Sequence, residues 1–297
     1  MTNEILRYQK VFTSVIERLR ENQDILAVMA FGSMVTGDLW EGSDIDIFVI
    51  LKEQQESIRN IYTEENGISV HMKLLSKENF LNFYQNNVIG GYMHRILISS
   101  KLIFSKDEHI TNVFNSFRYI NDSEREKWNL VYLGDILKDI SHCKKLIANS
   151  NIKSAYLTCM RTVENFASLF LNFNGYLVSK DVISVAINLD DNFNVILDEL
   201  VNASNDLEAV IYSTLNFVEG FLEKNIRSCC SALIKYLREH KNFMSAEEIK
   251  VDVFFKGFNI HMEDILKELA NKKIIRKDLR SIKSQSGNLI GEENVYC

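Results

Sequence analysis

The sequence predicts a mixed α/β unit followed by helices that need one another for a core, and three observations carry this. Two short apolar runs of strand length, 25–31 and 45–50, and one alternating run, 68–74, fall among helical patterns in the first 120 residues. From about residue 125 the apolar residues recur mainly at helical spacing. Proline is absent from all 297 residues, so boundaries must be read from Gly, Asn and Asp clusters.

Taken in order, Ile5, Tyr8, Phe12, Val15, Ile16 and Leu19 mark one face of a helix over residues 4–20. The run 25–31 ends at Gly32, and the run 45–50 is rich in β-branched residues. Residues 68–74 alternate apolar and polar, the period of a strand with one covered face. Ser76 can cap a helix over 77–86 that rests on Phe80, Leu81 and Tyr84. Asn79 stands where a reciprocal capping box needs Glu or Gln.

Residues 125–223 change character. Trp128, Tyr132, Ile136 and Ile140 share one helical face. Tyr156, Met160, Val163, Ala167 and Phe170 share a second, and Leu207, Val210, Ile211, Leu215 and Val218 a third. Breaks at 149–151, 172–175 and 202–205 separate them, and an all-α bundle buries all three faces. In residues 226–297, Leu233, Ile234 and Leu237 lie on one helix and Ser245 with Glu248 opens a second as a capping box. Ile260, Ile265, Leu266 and Leu269 line a third. An apolar Ile274-Ile275 strand, a polar loop through Gly287 and a strand from Leu289 to Tyr296 follow. That order predicts a winged helix, and the expected domains are 1–120, 125–223 and 226–297.

The composition, 46% apolar and 25% charged, suits a well-cored protein and excludes extensive disorder. No run is long and apolar enough to cross a bilayer and no signal-peptide pattern opens the chain, so the expected location is the cytoplasm. Five cysteines (143, 159, 229, 230 and 297) fit neither a disulfide framework nor a zinc site; Cys143 and Cys159 read as core thiols and the adjacent Cys229-Cys230 pair as helix packing. The net charge of −6 argues against indiscriminate coating of nucleic acid. One local excess runs against it: Lys267, Lys272, Lys273, Arg276, Lys277, Arg280 and Lys283 face only Glu268 and Asp278.

The chemistry-bearing stretch runs from Phe31 to Ile47. Gly32 lets a ligand approach the backbone, and Ser33 offers an N–H and a hydroxyl to a phosphate. Strand periodicity puts Asp44 and Asp46 on one side, with Ile45 and Ile47 turned to the core. Paired carboxylates repel unless a cation lies between them, and hard oxygen ligands suit magnesium bridged to substrate phosphates. Thr36, Gly37 and Asp38 shape the intervening loop or touch phosphate.

This Gly-Ser followed by acid, apolar, acid resembles the signature of the DNA polymerase beta nucleotidyltransferase superfamily, in particular its minimal and antibiotic (aminoglycoside or lincosamide) members. The resemblance covers about residues 25–75. It implies that Gly32 and Ser33 contact a triphosphate, with ATP the expected nucleotide, and that Asp44 and Asp46 hold Mg2+. It implies transfer of a nucleoside monophosphate to a hydroxyl of a small molecule or protein, with release of pyrophosphate. The family's third carboxylate belongs on a later strand, where residues 68–74 offer only Ser69, His71 and Lys73. His71 is the candidate base or a nitrogen ligand, and Lys73 the candidate counter-charge for the triphosphate. Glu64, Glu65 and Glu164 are alternative acids, while Arg161 and Glu164 at i,i+3 can simply pair.

Two alternatives stay open. A weak or inactive homologue could act as a nucleotide- or DNA-binding regulator through its C-terminal region, where the basic cluster lies. The third helix of that region equally suits a lid on the acceptor pocket or a homodimer contact.

Overall fold

The computed structural model describes residues 2–37, 39–85, 96–97, 99–116, 122–178, 181–203 and 206–297. The chain divides into two compact units, residues 1–120 and 121–297.

The first unit opens with α1 (Thr2–Glu21), then β1 (Ile25–Phe31), the one-turn α2 (Ser33–Thr36), β2 (Ile45–Leu51), β3 (Arg59–Glu65), β4 (Ile68–Ser76), α3 (Lys77–Gln85), β5 (Lys101–Ser105) and α4 (Glu108–Ser116). The five strands form one sheet in the order β3-β4-β2-β1-β5. Only β2 and β4 run parallel, which makes the sheet mixed. The strand period of two sorts β2 between the faces. Ile45, Ile47 and Val49 pack with Tyr8, Val11, Val15 and Ile16 of α1, whereas Phe48 and Ile50 join Phe80 of α3 and Ile110, Val113 and Phe114 of α4 on the other side. Asp46, two residues before Phe48, therefore points to the α3/α4 face.

Local signals explain several boundaries. Ser76 Oγ accepts the Asn79 N–H at 3.1 Å, so it caps α3 without a reciprocal partner. Phe80 is fully buried there and Leu81 packs partly; the side chain of Tyr84 lies outside the described residues, as does residue 86. Two strands and one helix go beyond the sequence expectation: β3, β5 and α4. At the β3–β4 turn, Asn66 (φ 53°) and Gly67 (φ 71°) take the left-handed conformations of a two-residue hairpin loop.

The second unit is helical with a small sheet at its end. Its elements are α5 (Asp122–Ala148), α6 (Ile152–Phe173), α7 (Val182–Ile187), α8 (Asp191–Val201), α9 (Leu207–Cys229), α10 (Ser231–His240), β6 (Met244–Ser245), α11 (Ala246–Val251), α12 (Met262–Asn271), β7 (Lys277–Lys283) and β8 (Leu289–Tyr296). β8 lies between β6 and β7 and pairs antiparallel with both. One buried cluster runs from Leu130 to Tyr296 and includes all four of Cys143, Cys159, Cys229 and Cys230. The short helices α7 and α8 stand where no helix is expected, and the penultimate strand begins at Lys277, not at Ile274-Ile275. Those two isoleucines lie in the turn after α12, half-buried against the core. Among the described residues, no helix is long and apolar enough to cross a membrane.

Phe166 on α6 organises this core. Its ring meets Phe193 at 5.5 Å, Phe217 at 5.6 Å and Phe221 at 5.2 Å between centroids, and 1% of the residue is exposed. Phe166→Ala is expected to lower stability by about 3–5 kcal/mol, because the cavity cannot close around three fixed rings. Urea unfolding followed by far-ultraviolet circular dichroism checks this.

The capping box at Ser245 forms in full: its Oγ accepts the Glu248 N–H at 3.3 Å, and Glu248 Oε2 accepts the Ser245 N–H at 2.7 Å. Glu248 also pairs with Arg280 of β7 at 2.9 Å, so the cap ties α11 to the hairpin. Ser245→Ala is expected to cost about 1 kcal/mol by the same unfolding measurement.

Candidate functional site

The constellation sits where β1 and β2 lie side by side, with Phe31 of β1 opposite Asp46 of β2. After Phe31 the chain turns at Gly32, whose φ of 70° and ψ of −154° belong to a region open only to glycine. The turn leads into α2. Val35 and Thr36 donate their N–H groups to Gly32 O at 2.9 and 3.1 Å, and Gly37, left-handed at φ 88°, closes the turn by donating to Ser33 O. The first N–H groups of a helical turn have no intrahelical acceptor, so those of Ser33 and Met34 are available. The Ser33 hydroxyl has no protein partner among the described residues. Thr36 turns its hydroxyl back to Gly32 O at 3.3 Å, a loop-shaping role. Asp38 lies outside the described residues.

Gly32 and Asp46 adjoin. A Cβ built on Gly32 would lie 2.6 Å from Asp46 Oδ2, inside contact distance, so the turn approaches the carboxylate only because that side chain is missing. Asp44 is exposed and Asp46 about a quarter so, while Ile45 and Ile47 are fully buried on the opposite face. The loop that delivers Asp44 is held from below. Tyr8 of α1 donates its hydroxyl hydrogen to Ser43 O at 2.8 Å, with Trp40 O and Glu41 O each 3.2 Å away, and Ser43 Oγ accepts the Trp40 N–H at 3.0 Å.

His71 is the parallel-strand neighbour of Asp46, and Lys73 that of Phe48. The ring is fixed at both nitrogens. Nδ1 lies 3.0 Å from Asp46 Oδ1, and because a carboxylate only accepts, Nδ1 carries the hydrogen. Nε2 lies 3.1 Å from Asn60 Oδ1, which also accepts from Lys73 Nζ at 3.0 Å. Tyr62 stacks on the imidazole at 4.4 Å with the planes 10° apart, and 74% of the tyrosine is exposed. Asn60 and Tyr62, both on β3, are the members of the cluster that sequence reasoning missed. The Asn66-Gly67 hairpin turn was the signal that could have found their strand.

Of the alternative acids, Glu65 is engaged by α1. Glu65 accepts from Ser14 Oγ at 2.8 Å and pairs with Arg18 at 2.9 Å, and the Ser14 hydroxyl together with Arg18 holds its carboxyl below the usual range despite desolvation. Glu64 is exposed on β3, opposite Ser69. Glu164 belongs to α6 of the second unit. Arg161 does not pair with Glu164: its Nε donates at 2.8 Å to Asp139, a buried carboxylate that Asn165 also reaches.

Magnesium, the cation this signature implies, takes oxygen ligands and commonly binds through one or two carboxylates plus substrate phosphates. Asp46 offers such oxygens, with Oδ2 beside the Gly32-Ser33 turn and Oδ1 engaged by His71, and Asp44 is an exposed carboxylate two residues before it. Among the described residues no group of three or more His, Cys, Asp or Glu side chains is placed to hold a metal.

The sheet order and the place of the Gly-Ser turn beside Asp46 can be compared with known proteins. Residues 13–109, within the first unit, match the family model described as Polymerase beta, Nucleotidyltransferase. Of solved structures, a nucleotidyltransferase-like protein from Exiguobacterium sibiricum 255-15 aligns over 97% of this chain and 98% of its own, with a TM-score of 0.65 at 15% identity. That likeness concerns the fold. Spectinomycin adenyltransferase AAD(9) from Enterococcus faecialis, solved with ATP and spectinomycin, aligns over 75% of this chain and 99% of its own, with a TM-score of 0.32 at 12% identity. No curated protein matches the chain.

Proposed function

We propose that the chain transfers a nucleoside monophosphate from a nucleoside triphosphate, ATP in the first instance, to a hydroxyl of a small molecule. The observation that carries this reading is the contact between Gly32 and Asp46, which joins an anion-accepting turn to a carboxylate pair. In this reading the acceptor oxygen bonds to the α-phosphorus as the bridging P–O bond breaks and pyrophosphate leaves. Gly32 and Ser33 hold the triphosphate through backbone N–H groups and the Ser33 hydroxyl, and Lys73 balances part of its charge. Asp44 and Asp46 hold magnesium, which when bound supplies positive charge against the triphosphate and the leaving group.

His71 takes the acceptor's proton at Nε2. The Nδ1–H···Asp46 bond orients the ring for this, as a carboxylate behind an imidazole does. Because Lys73 also holds Asn60 Oδ1, the amide is not free to turn its NH2 to a bare Nε2, and in this reading the acceptor hydroxyl takes the place of Asn60 at that nitrogen. Pyrophosphate release from ATP with a panel of aminoglycoside and lincosamide acceptors tests the reading. His71→Gln is expected to lower kcat by roughly 10²–10⁴-fold while ATP affinity stays near wild type. Unchanged turnover in that variant would remove His71 from the proton path. Turnover only with a protein acceptor would redirect the substrate class.

A second reading is favoured by His71 standing where the signature leads one to look for a third carboxylate: a weak or inactive homologue that binds nucleotide without turning it over. Magnesium-dependent ATP binding without pyrophosphate release in any acceptor screen is its expected result. For the last part of the chain we infer a winged helix over residues 226–297, set beside a helical bundle over 125–223. The succession α10, β6, α11, α12, β7, β8 supports it. Duplex binding by this region is less well supported, since α12 carries Glu263, Asp264 and Glu268 beside Lys267. Two of the seven cations of the basic cluster are already paired, Lys272 with Glu268 and Arg280 with Glu248 and Glu293.

A further inference from the structure

The C-terminal ends of α10 and α12 border a hollow of 690 Å³ within the second unit. Its apolar wall is Ile234, Leu237, Ala270, Ile274 and Ile275, and Arg238, Lys241, Lys273 and Arg276 complete it. No side-chain carboxylate lines it. A second hollow of 460 Å³ shares Ile234 and Arg238 with the first and adds Arg227 and Lys235, with Glu239 its one acid.

The charge here runs against the rest of the molecule. The chain carries −6 overall, yet Arg238, Lys241 and Lys273 have no carboxylate partner among the described residues. Arg276 lies over the Phe243 ring and donates to Cys297 Sγ at 3.6 Å, which leaves its charge unneutralised by any side chain.

Two of these cations sit on unusual backbone. Lys241 (φ 55°) and Lys273 (φ 56°) take the left-handed conformation after α10 and after α12, where glycine is the ordinary choice. A cation near a helix C-terminus offsets the helix dipole from anywhere on the last turn. That effect does not account for four cations converging on one apolar-walled hollow.

We propose that this hollow binds a small amphiphilic anion, one that joins a phosphate or carboxylate to an apolar chain or ring. The apolar wall would take the body and the cationic rim the head group. The volume falls within the roughly 300–1,000 Å³ of small-molecule sites. A nucleic acid backbone needs no apolar wall, and a free inorganic anion would leave Ile234, Leu237 and Ile274 without an occupant.

Calorimetry on the full chain with octyl phosphate, inorganic phosphate and octanol tests this. Octyl phosphate is expected to bind one per chain, at least about tenfold tighter than either fragment, and more weakly as salt rises. Arg238→Ala/Lys273→Ala, both exposed, should weaken it by about tenfold or more, with circular dichroism confirming the fold. Lys224→Ala, an exposed lysine of α9 outside the hollow, should leave binding unchanged. Equal affinity for octyl phosphate and inorganic phosphate, equal weakening by Lys224→Ala, or displacement of octyl phosphate by a short DNA duplex would each overturn the proposal.

Discussion

Asp44→Ala/Asp46→Ala is expected to abolish magnesium-dependent ATP binding while the protein remains folded. Asp46 adjoins the Gly32-Ser33 turn and Asp44 lies two residues before Asp46 in the chain, and a hard divalent cation has little to bind there without their oxygens. Turnover should fall by at least about 10²–10³-fold, the scale of losing one well-placed electrostatic contact at the reacting centre. Stability should change little. Asp44 is exposed in the loop before β2, and the Asp46–His71 pair is partly exposed, worth about 1 kcal/mol or less. Calorimetric titration with ATP and magnesium reads the first effect and thermal unfolding the second. A variant that loses several kcal/mol would make the pair a structural ion pair and remove the reason to call it a site.

Gly32→Ala is the second large effect. The methyl group would meet Asp46 Oδ2 at 2.6 Å, and the backbone at φ 70°, ψ −154° tolerates no side chain without strain. We expect a loss of about 1–3 kcal/mol together with loss of ATP binding, because relief of the clash moves either the turn or the carboxylate. Gly37→Ala is the control. It is also left-handed but open around the missing Cβ, so it should lose only about 1 kcal/mol and keep the binding. Parallel effects in both variants would mean that backbone strain alone, without the Asp46 contact, explains the Gly32 result.

The elements easiest to read were those whose burial is uniform. β1 and β2 are nearly all buried and announce themselves as apolar runs. β3 lies at the sheet edge with Ile61 and Glu65 half-buried and the remainder exposed, so its apolar pattern is too sparse to see. Asn60 and Tyr62 were lost with it. At the other end of the chain apolarity misled: Ile274 and Ile275 pack from a turn, while the strand itself, Lys277–Lys283, is almost wholly exposed. Arg161 shows a different limit. Spacing along one helix offers Glu164, but the partner chosen is Asp139 on α5, a carboxylate that burial makes more in need of a cation. The Gly-Ser and Asp-x-Asp elements were legible because their chemistry is compact in sequence. The His71–Asp46 bond was not, because it depends on strand register.

Tyr8 gives the first helix an influence beyond its packing. One phenolic hydroxyl reaches three carbonyls of the stretch just before Asp44, and it comes from a segment to which no ligand or proton-transfer role is assigned. An affinity tag or shortened expression product that frays only the start of α1, as far as Tyr8, would therefore be expected to loosen the approach to Asp44 while Val11, Val15 and Ile16 still cover the sheet. Preparations that differ only in their first dozen residues should be compared for activity before any loss is blamed on the site itself.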